Sequence, residues 1–296
     1  LFNDLSDDQK KKTDECKYMT DVIKSTEIES FNYEFSEKGS LNIIDQLVDT
    51  EEPAMGPNLY INFKILEELQ NKKIDVLYEG IGGDSAISHG HGLFYKLGRE
   101  LKCIKLFDQY KKHCSNKGVK FSYINCIKTF VIKPRIPEKI LKKRYKEDDN
   151  RNDYFNINNF LKDEYKLDVG DRFEKIHGYH PALASSFKYS SYFYEELSTN
   201  DLFEPYASRM SYHIGKKFGI EIIFPFNDIR IREYCMNVPY ELKMHDGIDR
   251  YYFRESMREV IPKSVRKRLW KSDISPIFFN EMKKLSLNEL MDIIFK

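Results

Sequence analysis

No run in this 296-residue chain approaches the roughly 20 consecutive apolar residues of a membrane helix, which argues against an integral membrane protein. Cysteine is scarce. The five residues Cys16, Cys103, Cys114, Cys126 and Cys235 are odd in number and contain no C-x-x-C pair. That argues against a metal framework or a disulfide scaffold and fits free thiols in a reducing cytoplasm. No charge of one sign dominates: 48 Lys and Arg face 47 Asp and Glu, so the net charge is +1 and non-specific nucleic-acid binding is disfavoured. Ten prolines and 14 glycines against 41% hydrophobic residues exclude collagen-like, low-complexity and disordered classes. Internal repeats and a signal peptide are not evident, and the chain opens on Leu1 instead of methionine. A processed chain and a piece of a longer one both fit that start.

A chain of this length buries about three quarters of its unfolded surface without covalent staples. Its arginines are uneven: no arginine precedes Arg99, and eight of the 13 lie between Arg209 and Arg268. Arginine recognises phosphates and carboxylates, so an anionic ligand near the basic C-terminal third is one reading; a solvated mixed surface is the other.

Apolar spacing places helices at Cys16–Ile23, Leu41–Leu47, Leu59–Leu69 and Leu93–Ile104, and strands at Phe31–Phe35 and Ile74–Tyr78, with a loop at Thr50–Pro57. This α-β-α-α-β-α order predicts an α/β fold, a parallel sheet flanked by helices, over residues 1–134. The strand signal fades near residue 135, and residues 135–296 read as a mostly helical part that completes the site. In it, Glu138–Lys146 is a charged helix and Asp148–Asn159 a polar loop. Pro181–Leu197 is a helix whose cluster of Phe187, Tyr192, Phe193 and Tyr194 reads as packing. Further helices are expected at Tyr206–Lys217, Ile229–Met236 and Tyr251–Val260.

The strongest chemical signal follows the strand: Tyr78-Glu79-Gly80-Ile81-Gly82-Gly83-Asp84-Ser85. In open α/β sheets ligands bind beyond the carboxyl ends of strands. Glycines there let backbone approach a phosphate, and an Asp at that edge suits Mg²⁺. A tight strand-to-helix turn with no ligand is the alternative. The segment is neither a P-loop nor G-x-G-x-x-G, since no Gly-Lys-Ser/Thr follows and the glycine spacing differs. Two further segments are distinctive: Phe218 to Asp228, containing Pro225-Phe226-Asn227-Asp228, and Ile261-Pro262 through Arg268 to Lys271 and Asp273. Asp228 suits the N-cap of the following helix. Alone, Lys271 reads as one of a solvated basic run.

In this order the three segments resemble the synthetase domain of the glutamine-dependent asparagine synthetase family, which includes β-lactam synthetases and lasso-peptide cyclases. The family's S-G-x-G-G-D-E is here E-G-I-G-G-D-S, and its G-x-E-x-R-x-P-F-L-D is G-I-E-I-I-F-P-F-N-D. Its Leu-Pro, Arg and Lys series is Ile261-Pro262, Arg268 and Lys271. The Asp14-Glu15 pair resembles the family's D-E after its second strand. The resemblance implies an adenine nucleotide α-hydrolase-like fold whose first strand and helix are missing here. With them would be missing the S-G-G-x-D-S nucleotide loop, so the chain on its own is expected to be poorly soluble and not to turn over ATP.

The resemblance further implies ATP-dependent amide-bond formation. A carboxylate attacks the α-phosphate of ATP, giving an acyl-adenylate and pyrophosphate; an amine or ammonia then takes the acyl group and AMP leaves. The implied catalytic residues are Lys271 and Asp84. Gly80, Ile81, Gly82, Gly83, Asp84 and Lys271 would bind the nucleotide, and Asp84 would hold Mg²⁺. Implied partners are a small-molecule or peptide carboxylate, an amine or ammonia, and a glutaminase domain or subunit as a source of that ammonia, in the cytoplasm, with neither nucleic acid nor membrane. Three positions depart from the pattern. Ile81 stands where asparagine synthetase proper has an acid, Ser85 replaces the Glu after the motif's Asp, and Ile223 replaces the Arg of the second motif. They leave asparagine as product open and keep alive an alternative, a catalytically inactive relative acting as a binding module. His89 and His91, in S-H-G-H-G, lack a third metal ligand at sequence spacing and read as loop packing or substrate contact.

Overall fold

Helices dominate the structure, a computed structural model that describes residues 13–26, 28–31, 59–151 and 203–272. In chain order it shows α1 (Cys16–Thr26), α2 (Leu59–Asn71), β1 (Val76–Tyr78), α3 (Gly83–Ile87), α4 (Gly92–Arg99) and α5 (Cys103–Asn116). The single turn Tyr123–Cys126 then runs into a π-helical turn, Ile127–Ile132. There follow α6 (Glu138–Arg151), α7 (Phe203–Lys217), β2 (Glu221–Ile223), α8 (Ile229–Asn237), a hairpin of β3 (Met244–His245) and β4 (Ile248–Asp249), α9 (Tyr251–Ser256) and the one-turn α10 (Lys263–Arg266). The chain divides into two compact units, each assembled from separated stretches: residues 1–84, 201–231 and 253–296 in one, 85–200 and 232–252 in the other.

In the first unit β1 and β2 pair in parallel, with Val76 opposite Glu221, Leu77 opposite Ile222 and Tyr78 opposite Ile223. Strand alternation turns Leu77 and Ile222 toward the core and leaves Val76 and Tyr78 exposed. Phe63 and Leu66, three apart on α2, and Met210 and Ile214, four apart on α7, present apolar stripes to that face. With Ile220 and Ile222 they form one buried cluster. Each such aliphatic side chain contributes about 1.5–3 kcal/mol by leaving water. The parallel pairing agrees with the α/β expectation. Among the described residues, however, the parallel sheet has two strands only, and its second strand comes from residue 221, beyond the point where the sequence signal fades.

The second unit is built around α4, α5 and the π-helical turn. Leu93, Phe94, Leu97, Leu106, Cys126 and Phe130 are buried together with Met244 of β3. Here the sequence expected one helix from Leu93 to Ile104, and the structure has two. Leu101 takes a left-handed conformation (φ 56°), its N–H bonds Gly98 O, and Lys102 N–H bonds Leu97 O at 2.9 Å. That is a Schellman C-terminus with leucine at the usual glycine position. The Arg135 guanidinium donates to Gly98 O and Arg99 O and satisfies further end carbonyls. The heptad-like spacing of Leu93, Leu97, Leu101 and Ile104 misleads because Leu101 and Ile104 are exposed.

Other expectations hold with shifted ends. The helices at 16–26, 59–71, 203–217 and 229–237 are present; the charged helix from Glu138 runs on to Arg151, into the expected loop; and the helix from Tyr251 ends at Ser256, followed by turns. Residues 32–35 of the expected strand at Phe31–Phe35, Leu41–Leu47, Thr50–Pro57, residues 152–159 and the aromatic helix Pro181–Leu197 lie outside the described residues. All five cysteines are free. Among the described residues no helix is long and apolar enough to cross a membrane.

Candidate active site

β1 ends in a backbone bond from Glu79 N–H to Ile223 O, and the chain then turns, with Gly83 N–H bonding Gly80 O at 3.2 Å. Gly82 sits at φ +90°, and a Cβ there would lie 2.1 Å from Asn227 Oδ1. Glycine is therefore required on two counts, backbone conformation and close approach. Gly80 differs: a Cβ there would meet nothing within 4 Å. The turn thus rests against Phe226 and Asn227 of the second motif. Asn227 Nδ2 donates to Ser208 Oγ at 2.8 Å, while its Oδ1 is buried without a hydrogen-bond partner. Asp228 caps α8 as the sequence expected, accepting from Arg230 N–H at 2.9 Å. The Arg230 side chain, and then the same N–H, hold the Asp228 carboxyl down at about 2.

Asp84 and Lys271, 187 positions apart, meet: Lys271 Nζ donates to Asp84 Oδ2 at 2.7 Å. Both side chains are open to solvent, 77% for Lys271 and 56% for Asp84, so the pair adds little stability and its groups remain accessible to a ligand. Ile81 lies partly buried in the turn and carries no polar atom on its side chain.

Sequence reasoning gave no role to several residues beside this pair. Arg268 NH2 donates to Glu15 Oε1 at 2.7 Å and to Ser272 Oγ at 2.6 Å. Its guanidinium carbon stands 4.6 Å from the Tyr18 ring centroid and 4.1 Å from that of Trp270. Burial pushes the Glu15 carboxyl up, but the hydrogen bonds of Ser272 and Arg268 and the charges of Arg268 and Lys271 outweigh it, so the group titrates below its ordinary value. The only sequence hint was the place of Glu15 and Arg268 in motif-like segments; two residues 253 apart give no pairing signal.

Glu79 faces inward next to Leu77 and borders an apolar cavity of about 130 Å³ lined by residues of α2, α7 and both strands. Burial raises its carboxyl above the ordinary value, and a hydrogen bond with Ser211 offsets part of that rise.

Among the described residues no three His, Cys, Asp or Glu side chains converge to hold a metal. Asp84 is the one acidic residue within residues 80–84 of the turn. Mg²⁺ is commonly held by one or two carboxylates with substrate phosphates and water supplying the rest, so a lone Asp fits that mode and not an all-protein cage. In the second unit, His89 Nε2 lies 2.9 Å from Arg250 and its Nδ1 3.4 Å from Asp249, while His91 stacks on His89 and on Phe94. The histidines there pack with one another and with Phe94.

The sequence profile of asparagine synthase matches residues 2–296. No curated protein and no solved structure matches the chain.

Proposed function

The chain belongs to the asparagine synthase family, and from that premise we propose that it forms an amide bond at the expense of ATP through an acyl-adenylate. The observation that carries the reading is the meeting of Asp84 and Lys271 beside a glycine turn at the carboxyl end of a parallel strand. Adenylyl transfer needs charge neutralisation and alignment more than covalent help from the protein. Lys271, accessible and cationic, offsets charge on the phosphates and then on the tetrahedral centre as the amine attacks. Gly80, Ile81, Gly82 and Gly83 shape the turn so that backbone and nucleotide can approach. Asp84 is the residue that would hold Mg²⁺, whose chemistry is to neutralise pyrophosphate oxygens. The substrates are a carboxylate and an amine or ammonia, and the compartment is the cytoplasm.

ATP–pyrophosphate exchange in the complete protein, with the S-G-G-x-D-S loop that the resemblance implies, over a panel of carboxylic acids, tests this. Exchange with at least one acid is expected, reduced by about 10²-fold or more in Lys271→Ala, the scale of removing one preorganised charge-stabilising group. No exchange with any acid, together with unchanged nucleotide binding in Asp84→Ala, would sink the proposal. A second reading, a catalytically inactive relative that binds a partner, draws on Ile81, Ser85 and Ile223 at three pattern positions. Micromolar binding of ATP with Mg²⁺ argues against it.

A further inference from the structure

Lys271 lies on a stretch without regular structure, residues 268–272, and its own tether is one exposed ion pair. Exposed pairs contribute about 0–1 kcal/mol, too little to fix a long side chain. Something else must hold this stretch. The structure ties it at successive points. Ser264 Oγ donates to Asp21 at 2.6 Å. Arg254 NH1 donates to Arg266 O and to Arg268 O, both at 2.7 Å. Most telling are the neighbours of Lys271 on either side. Trp270 stacks on the Arg268 guanidinium and Ser272 accepts from it, so residues 270 and 272 grip one group. That group is anchored outside the segment by Glu15 and by the Tyr18 ring, which meets Trp270 edge to face at 5.8 Å.

We propose that Arg268, held by Glu15 and seated in the corner between the Tyr18 and Trp270 rings, is a positioning clamp that fixes the backbone on both sides of Lys271 and so aims the lysine at the phosphates. Arg268 and Glu15 are positioning residues and touch no reacting atom. The inference rests on the amide-ligase reading. Arginine suits this work: its guanidinium lies against two aromatic rings while its fixed fork donates to Glu15 and Ser272, and a lysine ammonium offers neither the plane nor the fork. Glu15 also balances the guanidinium charge, which leaves Lys271 as the cation turned toward Asp84.

Trp270 is the only tryptophan of the chain, so its emission reports the clamp directly. The test uses the complete protein with Glu15→Gln, Arg268→Lys and Trp270→Phe, and Trp270 emission is taken as the difference from Trp270→Phe. In Arg268→Lys the emission should shift to the red and its anisotropy fall. Exchange kcat should drop by about ten- to a hundredfold in Arg268→Lys and Glu15→Gln, the scale of a displaced catalytic group, with KM for ATP little changed. Trp270→Phe keeps a ring and should retain exchange within about threefold. A merely structural role would lower the folded fraction and leave kcat per folded molecule at the wild-type value, so circular dichroism is read on each variant and kcat is referred to the folded fraction. Wild-type kcat in both charge variants overturns the proposal, as does unchanged Trp270 emission in Arg268→Lys. A wild-type chain without exchange overturns the ligase reading instead, and the emission then judges the clamp alone.

Discussion

Gly82 and Gly80 stand two positions apart and answer to different constraints. Gly82 holds φ +90° with Asn227 Oδ1 where a Cβ would go; Gly80 has open space. Gly82→Ala should destabilise the first unit by about 1–3 kcal/mol from backbone strain alone, with the clash in addition. Gly80→Ala should stay within about 0.5 kcal/mol. Urea unfolding of the two variants checks both, and equal losses would mean that the turn is shaped otherwise. At this scale the sequence singled out Asp84 and Lys271 through ordered motifs, and the structure brings the two side chains together. The contact between Arg268 and Glu15 was not legible. Among 48 cations and 47 acids, any pairing is one of very many, and only the fold selects it.

Among elements, legibility followed periodicity and failed where a terminus is made by tertiary contacts. Helices whose apolar stripe is buried, such as α2 and α7, were readable from spacing. The break at Leu101 was not, because a Schellman turn without glycine leaves no mark and Arg135, which caps it, lies 34 positions on. β2 was missed as a strand because three residues give too short an alternation. The hairpin β3–β4 also escaped, and it carries a pH dependence. It docks on α5 through His113 Nδ1 at 3.1 Å from Gly247 O and through Lys112 Nζ at 2.8 Å from Asp246. The His91 ring lies 5.2 Å from that of His113 and 5.5 Å from that of His89; Lys117 and Arg250 add cations, and Asp249 is the buried carboxylate among them. Desolvation first, and then the His113 and His89 charges, push His91 down to about 4; burial likewise lowers His113. The His91 side chain is exposed, and the downward direction of its shift sets the sign of the pH dependence. A histidine with a folded pKa below its unfolded value near 6.5 gives stability that is complete above that value and lost as pH falls from about 6.5 toward 4. Urea midpoints should fall between pH 7 and pH 5 in the wild type and fall less in His91→Phe. Parallel pH profiles would contradict this.

For the whole molecule, both units draw on distant stretches of chain, and this is what single-sequence reading handles least well. The α/β character was read from the alternation of helix and strand spacing over residues 1–134, and the parallel pairing of β1 with β2 agrees with it. The pairing of β1 with a strand 145 positions later was not, since parallel strands are joined through crossovers whose length the sequence does not limit. The same closure brings the three motifs into one unit: the glycine turn, the segment at 221–228 that supports it, and the stretch at 263–272 that carries Lys271. The central claim is that this unit binds nucleotide phosphates through Asp84 and Lys271. Isothermal titration of the complete protein with ATP and Mg²⁺ tests it most directly. Saturable binding is predicted in the wild type, weakened by about tenfold or more in Lys271→Ala, which removes the cation facing the phosphates, and in Asp84→Ala, which removes the carboxylate that would hold Mg²⁺. Absent binding in the wild type, or wild-type affinity in both variants, would contradict the account.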